Sequence, residues 1–414
     1  MMLYFRRVVA SICVVAPLFY IYWWKLTAPR HLNGFTSWAK KDVFNNTLGF
    51  SQIVVINLPS RTDRRDAMAL AGAVSNLTFG WIDGVSGDEV PEHIMPLSDG
   101  QNGPLSPGAR GSWRSHMNAL QTIVHQNLGS ALILEDDVDW DIRLKAQLYG
   151  FASASRTWLR ESKMHKRQIE LLELVPPSFV RKRTEESDKN TMELPIIEST
   201  HDEAQSVYGD DWDVLWLGHC GADFPPDGSS MSPLRVVISE DDTVPAPKHL
   251  KPHPFALLDK LGEVYPPHTR VVHAASGNVC SLAYAVSQQG ARKLLRQFGE
   301  SFDSQWDLML QSWCQGGYAV RGDAQLKPEV DSDSDSEDNG EVIPICLTVQ
   351  PPLISHHYTK GGVSDIQGQG GGYARGVGTP YIRLSVRENL RLLVTGALES
   401  ELVDQLPDDG KTIW

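Results

Sequence analysis

Ala131-Leu132-Ile133-Leu134-Glu135-Asp136-Asp137-Val138 runs four aliphatic residues straight into three consecutive carboxylates. A short apolar run of this type reads as a central strand covered on both faces. Acids at its carboxyl end stand where open α/β sheets build a ligand crevice. Like charges this close repel, so the arrangement is costly until a cation neutralises it. A hard divalent ion, Mn²⁺ or Mg²⁺, would do so and would leave coordination positions for a phosphate. The competing reading is a strand that ends in a solvated acidic turn.

A basic loop offers the counterpart. Arg61, Arg64 and Arg65 follow the buried-type run Gln52–Leu58 through Pro59 and Ser60. Guanidinium forks beside a carboxylate-held ion are what a diphosphate needs. Taken alone, the same arginines fit a solvated turn. Asn57, Asp83, His356 and His357 also fall at the ends of strand-like runs, so these groups converge with Glu135–Asp137 on one side of a parallel sheet.

The elements that must position them follow an α/β rhythm. A strand at 52–58, a helix near 66–73 and a strand at 77–82 form a βαβ unit. After a Gly/Pro/Ser loop at 100–108, a helix from about 112 to 126 shows Trp113, Met117, Leu120 and Val124 on one face. His116 lies on that apolar side and by position is a core histidine. Further strands are expected at 213–218, 270–273, 279–286 and 347–354. Ser287 is placed to cap a helix carrying Ala291, Leu294, Leu295 and Phe298, with Gly299 as its stop. Three stretches interrupt the pattern: a charged, partly helical surface insertion at 154–207, a Pro-rich loop at 222–268, and an acidic low-complexity insertion at 328–342. The expected fold class is α/β, Rossmann-like, with a mostly parallel central sheet spanning 51–380 and a charged, partly helical tail at 381–414.

A chain of 414 residues can bury a sizeable core, and a net charge of −13 leaves no basic stripe for nucleic acid. Arg6 and Arg7 precede an uncharged run, Val8–Trp24, that ends in Tyr20, Tyr22, Trp23 and Trp24. We read it as a transmembrane signal anchor at 8–24 between a cytoplasmic tail at 1–7 and a luminal stem at 25–50. The alternative is a cleaved signal peptide, but no small-residue cleavage pattern follows the run. The membrane would then be one partner of the protein, with the domain in the secretory lumen. The sequons at Asn45 and Asn76 are N-glycosylation candidates compatible with that placement. Cys220, Cys280, Cys314 and Cys346 allow three pairings, and the sequence does not choose among them. The final residues carry no ER-retrieval tetrapeptide, so Golgi residence is expected over stable ER retention.

Several of these segments together resemble glycosyltransferase family 25, which includes bacterial lipooligosaccharide galactosyltransferases and animal procollagen galactosyltransferases. The resemblance rests on Val54–Leu58 with Arg61-x-Asp63-Arg64-Arg65, on Asp83-Gly84-Val85, and on Gly108–Leu120 with Ser115-His116 inside it. It continues through Ala131–Val138, Ala283-Tyr284-x-x-Ser287-x-x-Gly290-Ala291, Phe302-Asp303, Pro351–His356 and Ser364-Asp365-Ile366. Individually these motifs are weak; their common order gives them weight.

The resemblance implies a GT-A-like, metal-dependent, inverting transferase. It would move a hexose, galactose first among candidates, from a UDP-sugar to a hydroxyl of a glycan or glycoprotein acceptor. Under it, Asn57, Arg61, Arg64, Asp83, His116, Glu135 and Asp136 would bind the nucleotide sugar, with Glu135 in a supporting role. Asp137, Asp136 and His356 would hold Mn²⁺ or Mg²⁺. Asp303 is the candidate base, with Asp307, four residues on, as the alternative on a shared helix face. A second class of function stays open: a catalytically inactive relative serving as a luminal binding or adhesion protein.

Overall fold

β-Branched and aliphatic runs build the sheet of this protein, seen here in a computed structural model. It describes residues 42–96, 105–173, 190–194, 206–226, 229, 231–250, 260–318, 343–359 and 377–413. Ile53, Val54 and Val55 in β1 (Gln52–Asn57) are buried, as are Ala131–Leu134 in β3 (Ser130–Glu135). Near-continuous burial follows from cover on both faces.

The order of the sheet is β2-β1-β3-β9-β6-β10-β8-β7-β5. The strands are β2 (Phe79–Asp83), β5 (Thr191–Glu193), β6 (Val214–Gly218), β7 (Arg235–Ile238), β8 (Arg270–Ala274), β9 (Ala283–Ser287) and β10 (Cys346–Gln350). Two short strands, β4 (Val138–Trp140) and β11 (Ile354–His356), pair with each other, and β11 also touches β6. The expected mostly parallel sheet is instead mixed. β2, β1 and β3 are parallel, but β9 runs antiparallel between β3 and β6, and β8 is antiparallel to β10. Apolar runs buried on both faces look alike whichever way they point, so direction was not legible locally.

Helices cover the sheet where the apolar spacing predicts. α1 is Thr62–Val74 and α2 is Pro107–His125. Ser106 caps α2 by accepting from the Ala109 N–H at 3.2 Å, and Pro107 opens its first turn. Trp113, Met117, Leu120 and Ile123 face the core and pack against α5 (Gln288–Glu300) and α6 (Trp306–Cys314). Ser287 caps α5 as expected, accepting from Gly290 N–H at 3.0 Å, although the helix continues through Gly299 to Glu300.

Two expected interruptions belong to the core. The supposed surface insertion at 154–207 begins inside α3 (Leu144–Glu173), where Phe151, Trp158 and Leu159 are buried. The Pro-rich loop at 222–268 supplies β7 and a short helix α4 (Lys260–Val264), and its Val237, Val244 and Leu261 share a second apolar cluster with Val271 and Tyr381.

The tail is also not free. Residues 377–413 pack against the domain through buried Tyr381, Ile382, Val386 and Leu406, and helix there is confined to α7 (Leu390–Val394) and a 3-10 turn at Glu399–Glu401. The cysteines pair as Cys220–Cys280 and Cys314–Cys346. The anchor expected at 8–24, the acidic run 331–338 and Ser364–Ile366 lie outside the described residues. Among the described residues no helix is long and apolar enough to cross a membrane.

Candidate active site

The turn between β3 and β4 carries Glu135, Asp136 and Asp137 into a cavity of about 810 Å³. Its walls come from the first turn of α1, the loop after β2, the N-terminal turns of α2, residues 279–282, the start of α6, the residues around β11, and the C-terminal segment. Close backbone approach sets one wall. A Cβ on Gly111 would stand 2.4 Å from Val85 O, and one on Gly87 would stand 1.6 Å from Pro107 O. Ser115 ties the same contact, accepting from Val85 N–H at 2.9 Å and donating to Gly111 O at 2.7 Å.

The three acids have different surroundings. Asp136 has both oxygens engaged: Arg64 Nη1 donates to Oδ1 at 2.7 Å and Asn57 Nδ2 to Oδ2 at 2.7 Å. Asp137 Oδ2 lies 2.9 Å from the same Arg64 nitrogen and 3.3 Å from His356 Nε2. Asp137 Oδ1 and His356 Nδ1 are buried without a hydrogen-bond partner among the described residues. Burial opposes the charge on Asp137, but His356 and Arg64 outweigh it and hold the carboxyl far below its usual range. Burial likewise disfavours the His356 cation, and Asp137 reverses the balance and raises its pKa. Glu135 accepts from Ser281 Oγ at 2.8 Å. Burial first, and the charge of Asp137 second, push Glu135 up to about 8, so it keeps its proton in neutral solution.

Arg61, Arg64, His116, Glu135, Asp136, Asp137, Asp307 and His356 all line the cavity. Asn57 lies beneath it, 1% exposed, and reaches it through Asp136. His116 is both core and wall. Its ring stacks on Trp306 with centroids 4.8 Å apart, Nδ1 sits 2.8 Å from Tyr284 Oη, and burial lowers its pKa to about 3.

Two expectations are corrected. Asp83 points away, its side chain 77% exposed and 3.9 Å from Arg65. Asp303 is not on a helix face with Asp307, because α6 starts at Trp306. It accepts from Tyr318 Oη at 2.8 Å and does not line the cavity. Asp307 does, and its Oδ2 accepts the Cys280 N–H at 2.8 Å. Cys280 holds that N–H in place with a left-handed φ of 64° and a disulfide to Cys220. Away from the cavity, Asn45 and Asn76 are exposed, and their sequons touch: Asn46 Nδ2 donates to Thr78 Oγ1 at 2.9 Å.

Several wall residues carried no local signal. Ser281, Tyr381 and Arg387 sit in unremarkable sequence and reach the cavity only through pairings across the fold. Arg387 is carried there by Asp139, fully buried in β4, which accepts the Arg387 N–H at 3.1 Å and the Thr379 hydroxyl at 2.6 Å.

Residues 50–310 match the family described as glycosyltransferase family 25 (LPS biosynthesis protein). This chain belongs to glycosyltransferase family 25. Among curated proteins it is similar to procollagen galactosyltransferase 1-A of Xenopus laevis, 27% identical over 144 residues, which are 31% of this chain and 23% of that protein. Procollagen galactosyltransferase 1 of Danio rerio is 31% identical over 111 residues, 24% of this chain and 18% of the relative. Procollagen galactosyltransferase 2 of Homo sapiens is 26% identical over 118 residues, again 18% of the relative. The aligned segments thus span less than a quarter of each relative. His356, Tyr381 and Arg387 lie beyond the family match.

Proposed function

We propose that this chain is a metal-dependent, inverting glycosyltransferase that moves a hexose from a UDP-sugar to a hydroxyl of a glycan or glycoprotein in the secretory pathway. Galactose is the first donor to test, because the relatives named above are galactosyltransferases. The observation that carries the reading is the cavity itself: the acid trio Glu135–Asp137 at a family-25 strand end, with three arginines, Arg61, Arg64 and Arg387, in the same walls.

The donor set suits a divalent ion. Asp137 offers a buried carboxylate oxygen and His356 a buried imidazole nitrogen, neither committed to a hydrogen bond among the described residues. No cluster of three or more His, Cys, Asp or Glu is arranged around a common point among those residues, so the diphosphate and water would complete the coordination. A bound Mn²⁺ or Mg²⁺ would supply Lewis-acid neutralisation of the diphosphate. Asp136, with both oxygens engaged, orients Arg64. Asp307, which lines the cavity with its Oδ2 aligned by the Cys280 N–H, would take the proton of the acceptor hydroxyl.

UDP release from a panel of UDP-sugars, with and without Mn²⁺, tests this reading. The expected result is Mn²⁺-dependent release with one preferred donor. Asp137→Ala should abolish metal-dependent UDP binding while thermal unfolding stays cooperative. A chain that binds no UDP-sugar in Mn²⁺ would instead support the inactive, adhesive class of function. Anchoring by residues 8–24 and residence in the Golgi belong to the same proposal, and are tested by membrane extraction and imaging of the full chain.

A further inference from the structure

The arginines of the cavity are not equivalent. Arg61 forks onto Asp63, with Nε at 3.0 Å and Nη2 at 2.8 Å. Arg64 spends Nη1 on both Asp136 and Asp137. Arg387 lines the same cavity yet forms no ion pair among the described residues. It uses Nε on Val138 O and Nη2 on Asp136 O, both at 3.0 Å, and Nη1 carries no hydrogen bond. This guanidinium is fixed at two of its three nitrogens by main-chain carbonyls; Asp136, Asp137 and Asp139 lie near enough to act on its charge, but none is in direct contact with it, and its Nη1 edge stays uncommitted. A preorganised guanidinium edge that lines the cavity and has no acceptor among the described residues is a ready donor to an anionic oxygen.

Its support is equally deliberate. The Arg387 N–H, the Thr379 hydroxyl and the Ser385 hydroxyl all converge on Asp139, and Gln405 holds Thr379 from the far side, Oε1 accepting the Thr379 N–H at 3.0 Å. The guanidinium therefore approaches the acidic turn from a segment outside the family match, fixed before any ligand arrives.

We propose that Arg387 is a phosphoryl-binding residue, its Nη1 edge receiving an anionic oxygen of the nucleoside diphosphate. The assignment rests on the donor-site reading above and deepens it. Arginine matches phosphate by planar, charge-assisted hydrogen bonds, and preorganisation means little ordering cost on binding. The contact would also act across the β3–β4 turn, because the same guanidinium grips the Asp136 carbonyl next to Asp137.

Isothermal titration of UDP and of uridine, in Mn²⁺, separates the possibilities. Loss of one charge-assisted contact predicts that Arg387→Gln weakens UDP about 10- to 100-fold and leaves uridine affinity unchanged. Arg387→Lys, which keeps the charge without the fork, should lose less. UDP affinity in Arg387→Gln within about twofold of wild type overturns the assignment, as does an equal loss for UDP and uridine, which would mark a structural role. If Arg387→Gln does not unfold cooperatively, hydrogen exchange on the wild-type chain decides. Saturating UDP, and not uridine, should slow exchange in peptides spanning 379–389, and equal effects overturn the assignment. A wild-type chain that binds no UDP sinks the donor-site reading itself, whereas normal wild-type binding with an indifferent Arg387→Gln sinks this inference alone.

Discussion

A catalytic carboxylate needs access to substrate and a fixed orientation, and at the residue scale those demands separate two aspartates four positions apart. Asp307 lines the cavity and is aligned by the Cys280 N–H, while Asp303 faces Tyr318. Asp307→Asn keeps an oxygen for Cys280, so folding should survive. Loss of the base should lower kcat by about 10²- to 10⁴-fold with little change in donor KM. Asp303→Asn should stay within a few-fold of wild type in kcat. Steady-state kinetics with the preferred donor check both, and the reverse ranking would return the role to Asp303. The trio Glu135–Asp137 makes the same point about environment. Three adjacent acids become a neutral hydrogen-bonding group, a clamp for Arg64 and an ionised carboxylate with a spare oxygen, each according to what lies beside it.

At the scale of elements, the site depends on how closely α2 approaches the loop after β2. Gly111 presses against Val85 O and Gly87 N, and Ser115 locks the contact. Gly111→Ala would force the two backbones apart at a cost of about 1–3 kcal/mol. Because Val85, Ser86 and Gly87 line the cavity, UDP affinity should fall together with the melting temperature. Retained affinity in a destabilised variant would show that this wall does not touch the donor. The helices themselves were legible in their apolar faces, which follow helical spacing, and in the Ser287 cap of α5; the start of α2 was not, since Ser106 caps it and Pro107 opens it, ahead of the expected start near 112. Strand directions were not, since β9 is antiparallel to both neighbours although its sequence is as apolar as that of β3.

Across the whole molecule, the 222–268 region is tied to the sheet by a buried ion pair. Arg270 Nε donates to Asp241 Oδ2 at 2.7 Å, with side chains 2% and 12% exposed. Burial disfavours the Asp241 charge, but Arg270 and Thr243 outweigh it and hold its pKa below the usual carboxylate value. A pKa depressed by folding gives stabilisation that is complete above the unfolded value, about 4, and is lost as pH falls through the folded one. Urea unfolding should therefore show Asp241→Asn about 3 kcal/mol less stable at pH 7, with the gap to wild type narrowing below about pH 4. A gap independent of pH would mean that the loss is one of packing and not of charge.

The sequence by itself determined much of this protein: the family, the acidic strand end, the arginine loop, and most strands and helices. The elements are carried by local periodicity, caps and contiguous motifs, which need only neighbours along the chain, and the family by the order in which short motifs follow one another. The tertiary structure decided which candidate groups meet. It left Asp83 in solvent, separated Asp307 from Asp303, chose the pairings Cys220–Cys280 and Cys314–Cys346, and drew the C-terminal segment in to deliver Arg387. Those outcomes are contacts between residues far apart in the chain, such as the 251-residue separation of Arg387 and Asp136. The packing of β4, β11 and the segment 377–389 creates them, and no pattern within any one segment encodes a partner it has yet to meet.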